Sequence, residues 1–595
     1  MWAKRQERML LHHGQTARKT HSQHEPMAGG EAWALGPLLL PDSLLVEIFL
    51  FLGPRDLLSA GASCRQWHAV AQDQTLWREL FYRHFHIPRD VPRHPGATSW
   101  SGEFRRLFEG VPCVETQALK EHSDQVLHLS FSHSGALFAS CSKDCTAKIW
   151  STGPEEISLQ HSASMKEYNW SYTQFSQFNP DDSLLLVSGV FLGPRNSFSG
   201  EIAVFSLEDF SLVSRVRNKP PDLLGCWLNE TNLLSGNLHR IGFLTSCSVL
   251  WLSNAFQDIE SENTNVVKRL FKIQNLNASA VRNVMLVDCS RHDSPDLLLD
   301  CKGEASEEPR VVDLSGHSPE EGGRGRWTEV AEGGAEGGLS RFLGLCPDWA
   351  ELETEAQVAR ILARRKTKPP EGHLTCAEGG GEANKYLVFT TGCLTYVPHQ
   401  IGIKQILPHQ MTTAGPVLGE EQQSDHFFDS LDHVFDIHGQ IIGMGLSPDH
   451  RYLYVSCRAW PAGCLPWDPL HPPPASPKVD LRILDLQNLK EAKRSLGAYR
   501  ASTPTGLWPT CTFLAVSRDF VASGAEGSHS FIWDRHYDIC LAKLRHGEAV
   551  HAVAFSPTEQ ELLLTAGADG VIRVWCSPSR VRRLRAERPL GLNRP

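Results

Sequence analysis

The sequence predicts an all-β propeller of seven or eight blades over residues 111–577, preceded by a small α-helical module at 37–85. Three observations lead there. A chain of 595 residues is too long for one ordinary hydrophobic core. The stretch HSDQVLHLSFSHSGALFASCSKDCTAKIW at 122–150 returns in outline at 546–575 as HGEAVHAVAFSPTEQELLLTAGADGVIRVW. Ahead of both, the apolar positions from Pro41 follow a helical period instead of a strand period.

In chain order, residues 1–36 are basic and His-rich without an apolar core of a secretory signal, and read as a disordered arm or as an extension ahead of a start at Met27. Leu44, Leu45, Ile48, Phe49 and Leu52 then form one helix face, with Asp42 or Ser43 placed to cap it and Gly53-Pro54 to stop it. A second short helix follows through Asp56–Ala62, and a third from Arg65 through Trp67 and Val70, continuing helically to Phe81. So few residues bury little apolar surface by themselves, so the helices either dock in a partner's groove or pack on the next domain. Residues 86–110 read as a helical linker.

The repeats have a chemical logic. His122, Ser140, Asp144 and Trp150 in the first copy match His546, Thr565, Asp569 and Trp575 in the last, and each set is suited to a buried hydrogen-bonded chain. Between them the pattern erodes. Leu184–Gly189 with Glu201–Phe205 reads as a second blade, and Asn232–Gly236 with Ser248–Trp251 as a third. Val284–Val287, Leu297–Leu299 and Val311–Leu314 read as a fourth, and Tyr386–Thr390 with Gln400–Leu407 as a fifth. His438–Ser456 with Leu481–Leu486 gives a sixth, expanded by the Pro-rich stretch around Pro472. Phe513–Val516, Phe520–Ser523 and Ser530–Asp534 give a seventh, with Glu526 in the Asp position and Tyr499 in the His position. Cys113–Leu119 is placed to complete the last blade and remove a sheet edge. A Gly/Glu-rich insertion at about 315–384 reads as disordered except for a helical island at 349–366, and 578–595 as a basic tail.

Composition narrows the function. A net charge of −10 and the absence of a basic footprint argue against nucleic-acid binding, and no apolar run is long enough for a membrane span. The 16 cysteines lack CxxC pairs, and Cys141 and Cys145 flank a hairpin, so they read as reduced residues of a cytoplasmic protein, the nucleus being the second location. P-loop, GxSxG and HExxH motifs are missing; His12-His13 lacks further ligands, and the sequons at Asn169, Asn229 and Asn277 have no meaning without secretion. No cofactor, no metal and no catalytic residue is expected.

Leu40-Pro41, Ile48, Leu52, Asp56-Leu57-Leu58 and Cys64-Arg65-x-Trp67 resemble an F-box, departing from it at Asp42, where Glu is commoner, and at Ser63, where Val usually precedes the Cys. The 122–150 and 546–575 copies resemble WD40 blades. Together the chain resembles the F-box/WD-repeat family over about 38–576, and stretches at 168–179, 266–279 and 399–420 are similar to one branch of it. The resemblance implies a non-catalytic substrate receptor of an SCF-type cullin–RING ubiquitin ligase. Leu40, Pro41, Leu44, Leu45, Ile48 and Leu52 would meet a Skp-type adaptor, and the propeller would hold protein substrates. Family members that bind phosphorylated degrons use clustered arginines, and Arg195, Arg240, Arg282 and Arg458 are the loop candidates here. The alternatives are a receptor that docks a cullin-4 type adaptor through the propeller, or a scaffold without ubiquitination. Receptors of the first kind carry Trp-Asp-x-Arg, whereas Trp533-Asp534-Arg535 has its Arg one place early.

Overall fold

The computed structural model describes residues 40–587 apart from 154–155, 195–196, 219–223, 241–245, 257–265, 276–280, 292–384, 395–396, 412–427, 465–471, 493–495, 501–513 and 526. The N-terminal arm, the insertion with its island, Leu297–Leu299, Val311–Leu314 and Glu526 lie outside the described residues.

Among the described residues five helices come first: α1 (Asp42–Phe49), α2 (Pro54–Gly61), α3 (Arg65–Ala71), α4 (Gln74–Phe85) and α5 (Trp100–Glu109). Pro41, not Asp42 or Ser43, holds the N-cap position of α1 and makes no side-chain cap. Asp42 instead accepts a 2.8 Å hydrogen bond from the Gln66 amide, which also donates to the Leu40 carbonyl at 2.8 Å and ties α3 to the start of α1. Pro54 opens α2, where a missing N–H costs nothing. The expected continuous helix from Arg65 to Phe81 is broken. Asp73 leaves the helical path, its carboxylate accepts the Thr75 N–H at 2.6 Å, and α4 starts afresh. Ser99 caps α5 in the same way through Gly102 N–H at 3.0 Å.

After β1 (Val114–Leu119) come seven antiparallel sheets. Blade 1 is β2 (Val126–Phe131), β3 (Leu137–Ser142), β4 (Thr146–Thr152) and β5 (Ile157–Ser164). Blade 2 is β6 (Trp170–Phe178), β7 (Leu184–Leu192), β8 (Phe198–Ser206) and β9 (Leu212–Asn218), and blade 3 is β10 (Cys226–Trp227), β11 (Asn232–Arg240), β12 (Ser246–Asn254) and β13 (Val266–Asn275). Blade 4 is β14 (Arg282–Asp288), β15 (Lys385–Thr391), β16 (Gln400–Ile406) and β17 (His433–Asp436). Blade 5 is β18 (Gly439–Leu446), β19 (Tyr452–Ala459) and β20 (Lys478–Asp485), its outer edge split into β21 (Lys490–Glu491) and β22 (Leu496–Arg500). Blade 6 is β23 (Leu514–Val516), β24 (Phe520–Ser523), β25 (His529–Asp534) and β26 (Cys540–Arg545). Blade 7 is β27 (Val550–Phe555), β28 (Leu562–Gly567) and β29 (Ile572–Cys576), completed by β1, which pairs with β29 from Val114–Cys576 to Leu119–Ile572.

The expectation of seven or eight blades resolves to seven, because two expected blades are one sheet. Val284–Val287 belongs to β14, which pairs directly with β15 across the long insertion, so the fourth and fifth sequence units are halves of blade 4. An insertion between the first and second strands of a sheet leaves its hydrogen-bonding intact but breaks the periodicity a sequence reader follows. Tyr499 lies on β22, the outer edge of blade 5. The Pro-rich stretch sits between β19 and β20, as its position in the sequence unit implies.

First strands of neighbouring blades meet around the centre. Strand alternation then puts the second-to-third-strand turns and the blade-to-blade connections on one face, here the top, and the remaining turns on the bottom. The helical module packs against the bottom of blades 6 and 7. One core joins Phe81, Phe85, Phe104 and Leu107 to Phe520, Ile539, Leu541, Val553 and Trp575. After blade 7, the tail read from the sequence as simply basic forms α6 (Pro578–Glu587).

Candidate functional site

The first candidate surface is on α1 and α2. A helix turns about 100° per residue, so neighbouring apolar residues separate onto different faces. Leu40, Leu44 and Ile48 are exposed, with Ile48 at 49%, and Pro41 is exposed beside them. Leu45, grouped with them by the sequence, is turned inward at 1% exposure among Phe49, Leu57 and the core of α3 and α4. Leu52 is also corrected: it is half-buried against that core, and its carbonyl accepts the Arg83 guanidinium at 2.8 Å. Two residues that the sequence reading left out of this set extend the patch, Phe51 at 88% exposure and Leu58. Phe51 follows the end of α1, off the helical stripe. The signal available for it was the unmatched aromatic just before the Gly53-Pro54 stop.

The second candidate sites are the two polar chains at the ends of the array. In blade 1, a His122–Asp144 contact of 2.9 Å and a His122–Ser140 contact of 2.7 Å join a ring to both partners, and Trp150 donates to Ser140 at 2.9 Å. Thr146 adds a hydrogen bond to Asp144 at 2.6 Å. Burial opposes the charge on Asp144, but the bonds from His122 and Thr146 outweigh it and hold this carboxyl well below the usual range. Blade 7 differs. His546 meets Thr565 at 3.0 Å and Trp575 donates to Thr565 at 2.7 Å, but Arg573 stands between His546 and Asp569. It donates to Asp569 at 2.7 Å and to His546 Nδ1 at 3.2 Å. Burial and the Arg573 charge push the His546 pKa down to about 4, so this ring is neutral. These groups satisfy one another inside the blades; their arrangement is structural, with no face open to a substrate.

The third is a charge cluster under blade 6. Arg106 of α5 is paired with Glu103 at 2.7 Å, Asp534 at 2.8 Å and Asp519 at 3.7 Å. Burial disfavours its charge, but Asp534 and Glu103 more than compensate. Linker contacts continue from His94 N–H to the Tyr537 hydroxyl at 2.9 Å and from His536 to the Pro92 carbonyl at 2.9 Å. Arg535, which the sequence weighs as a docking residue, is buried. Its guanidinium donates to the Tyr454 hydroxyl at 2.8 Å and to the carbonyls of Ser517 and Arg518 at 3.0 and 2.8 Å. Trp533-Asp534-Arg535 thus holds the linker and its own blade.

The arginine candidates are not a loop cluster. Arg195 lies outside the described residues. Arg240 ends β11, Arg282 begins β14, and Arg458 is a buried residue of β19. Each is drawn into a strand because the blade hairpins run further than the short apolar cores visible in the sequence. Strand direction still places all three at the top ends of blades 3, 4 and 5.

Comparison with known proteins agrees with these two parts. An F-box-like family matches residues 38–83, and the WD domain, G-beta repeat, matches 113–151 and 539–576. The chain is 64% identical over 560 residues to F-box/WD repeat-containing protein 5 of Rattus norvegicus, covering 93% of this chain and 97% of that protein. It is 63% identical over 558 residues to the Homo sapiens protein of that name, with the same coverage of each. A helical module with an outward apolar patch, fastened beneath a seven-bladed propeller, and identity along nearly the whole length place this chain in the F-box/WD-repeat family, with the F-box/WD repeat-containing protein 5 group.

Proposed function

We propose that this protein is the substrate-recognition subunit of an SCF-type cullin–RING ubiquitin ligase. Its α1–α2 patch docks a Skp-type adaptor, and the propeller top presents a protein substrate. The observation that carries this reading is the exposure of Leu44, Ile48, Phe51 and Leu58 together on a module whose opposite side is sealed onto the propeller bottom. An apolar patch that the described residues leave uncovered fits a partner's groove. The chain's part is positioning, and the transfer chemistry belongs to its ligase partners. Holding a substrate lysine near a charged conjugating enzyme makes the encounter effectively intramolecular. We assign the protein to a reducing compartment, cytoplasm or nucleus, where thiols buried inside blades, such as those of Cys141, Cys226 and Cys457, stay reduced.

The test is reconstitution of the full chain with adaptor, cullin and RING subunits. Ubiquitin conjugation to a propeller-bound partner should disappear with Leu44→Asp/Ile48→Asp while the partner stays bound. Unchanged conjugation would rule the reading out and leave a scaffold. Docking of a cullin-4 type adaptor through Trp533-Asp534-Arg535 would require the linker to leave its seat, since Arg535 faces inward.

A further inference from the structure

The helix α6 is 10 residues long and carries Arg580, Arg582, Arg583 and Arg585. Helices this short are marginal in water by themselves, so its contacts hold it. Ser577 caps it, the hydroxyl accepting the Arg580 N–H at 3.0 Å, and Val581 packs on the core shared by blades 1 and 7. Most of its other ties are charged. Arg583 meets Glu559 at 2.8 Å and Glu561 at 2.6 Å, Arg580 meets Glu559, and the Ser579 hydroxyl donates to Glu561. Both carboxylates belong to the bottom turn between β27 and β28 of blade 7. Burial disfavours the charge on Arg583, but Glu561 and Glu559 outweigh it and raise its pKa.

From this seat α6 reaches the helical module. Arg582 pairs with Glu109, the last residue of α5, at 2.5 Å. Gly110, Val111, Pro112 and Cys113 alone separate Glu109 from β1, so the pair spans the joint between module and propeller. One turn earlier on α5, Arg106 is held by Asp519 and Asp534 of blade 6. Residues three apart share a helix face. The module is thus gripped twice along one line of α5, once toward blade 6 and once, through α6, toward blade 7. Gln560 closes the circuit between the two grips. Its amide donates to Asp519 at 2.7 Å and accepts the Asp519 N–H at 3.2 Å, and it stands between Glu559 and Glu561 in the same turn. Apolar burial seats the module on the propeller but has no direction. Two separate ion pairs on one helix face oppose its rotation.

We propose that α6 is a charge-held strap across this joint, with Arg582 and Glu109 as positioning residues that fix the angle between the adaptor-docking module and the propeller. A fixed angle sets the distance from a propeller-bound protein to whatever the module docks, and small displacements of reacting groups are costly. A single exposed ion pair contributes little, whereas a network that includes partly buried partners contributes more. Salt should loosen it, since charges are screened over about 3 Å at 1 M. The consequence for ubiquitin transfer rests on the receptor reading above; the strap itself does not.

The test is amide hydrogen exchange over residues 105–113 of the full-length protein. Arg582→Glu should speed exchange there about tenfold while the propeller melts as the parent does. Glu109→Arg combined with Arg582→Glu should restore the slow rate. High salt should speed the parent in the same way and should leave Arg582→Glu unchanged. Removal of residues 578–595 should match Arg582→Glu; if that shorter chain does not fold, the single and paired variants decide the matter. Exchange unaltered by Arg582→Glu, or no rescue in the paired variant, would overturn the proposal. In the reconstituted ligase, Arg582→Glu should keep the parent's adaptor affinity and conjugate a wider set of substrate lysines, narrowed again in the paired variant. Faster exchange with an unchanged lysine pattern would reduce α6 to a structural helix and overturn its positioning role. A parent that conjugates nothing would instead defeat the receptor reading, with the exchange result still deciding the strap.

Discussion

Leu45 and Ile48 occupy one short helix, yet they should fail in opposite assays. Ile48 is 49% exposed and Phe51 88%, whereas Leu45 is 1% exposed. Full burial of such a side chain is worth about 1.5–3 kcal/mol. Covering the free half of Ile48 and most of Phe51 with a partner therefore contributes about 3 kcal/mol together. Ile48→Asp/Phe51→Ser should weaken binding of a purified Skp-type adaptor by about a hundredfold in titration calorimetry, with the melting temperature nearly unchanged. Leu45→Ala removes packing against Phe49 and Leu57 instead. It should cost about 2–5 kcal/mol of module stability and reduce adaptor binding only through the fraction unfolded. Adaptor affinity within threefold of the parent for the surface pair, or an unshifted melting curve with lost binding for Leu45→Ala, would refute this division of the helix.

Arg106→Met leaves Glu103, Asp519 and Asp534 facing one another under blade 6. It should cost about 3–5 kcal/mol and open residues 86–99 to proteolysis before the propeller melts; Asp534→Asn should recover part of the loss. Thr565→Val strips the shared acceptor from His546 and Trp575, and a cost of about 1–3 kcal/mol in denaturant unfolding is the expected outcome. His546 has a folded pKa of about 4 against an ordinary 6.5. A base depressed by folding lends full stability above the unfolded value and loses it as pH falls, so its loss should run from about pH 6.5 to 4, reaching about 2 kcal/mol at pH 5. His546→Gln should flatten that part of the pH-stability curve, and an unchanged slope would show that the ring does not stay neutral in the fold.

How much was legible in the sequence follows from what kind of signal each residue carries. The tetrad spacings sit within one blade, where the chain itself fixes the geometry, so His122, Ser140, Asp144 and Trp150 are found together as their order implies. The helix period located α1, but its end falls at Phe49, about one turn ahead of the Gly53-Pro54 stop. Arg573 was not foreseen because its role depends on a side chain reaching between His546 and Asp569, which no spacing states.

By itself the sequence determined the two architectures and their order, since periodicity, turn residues and buried polar sets are local and survive in one dimension. It left the blade number open because β14 and β15 are neighbours only after a long insertion is set aside. Tertiary structure alone decided which side of α1 is free, through the packing of Leu45 and Phe49 on α3 and α4. It also decided that Asp534 and Arg535 serve the linker and the blade instead of an outside partner. These outcomes depend on burial, and burial is set by whatever distant segment arrives to cover a residue.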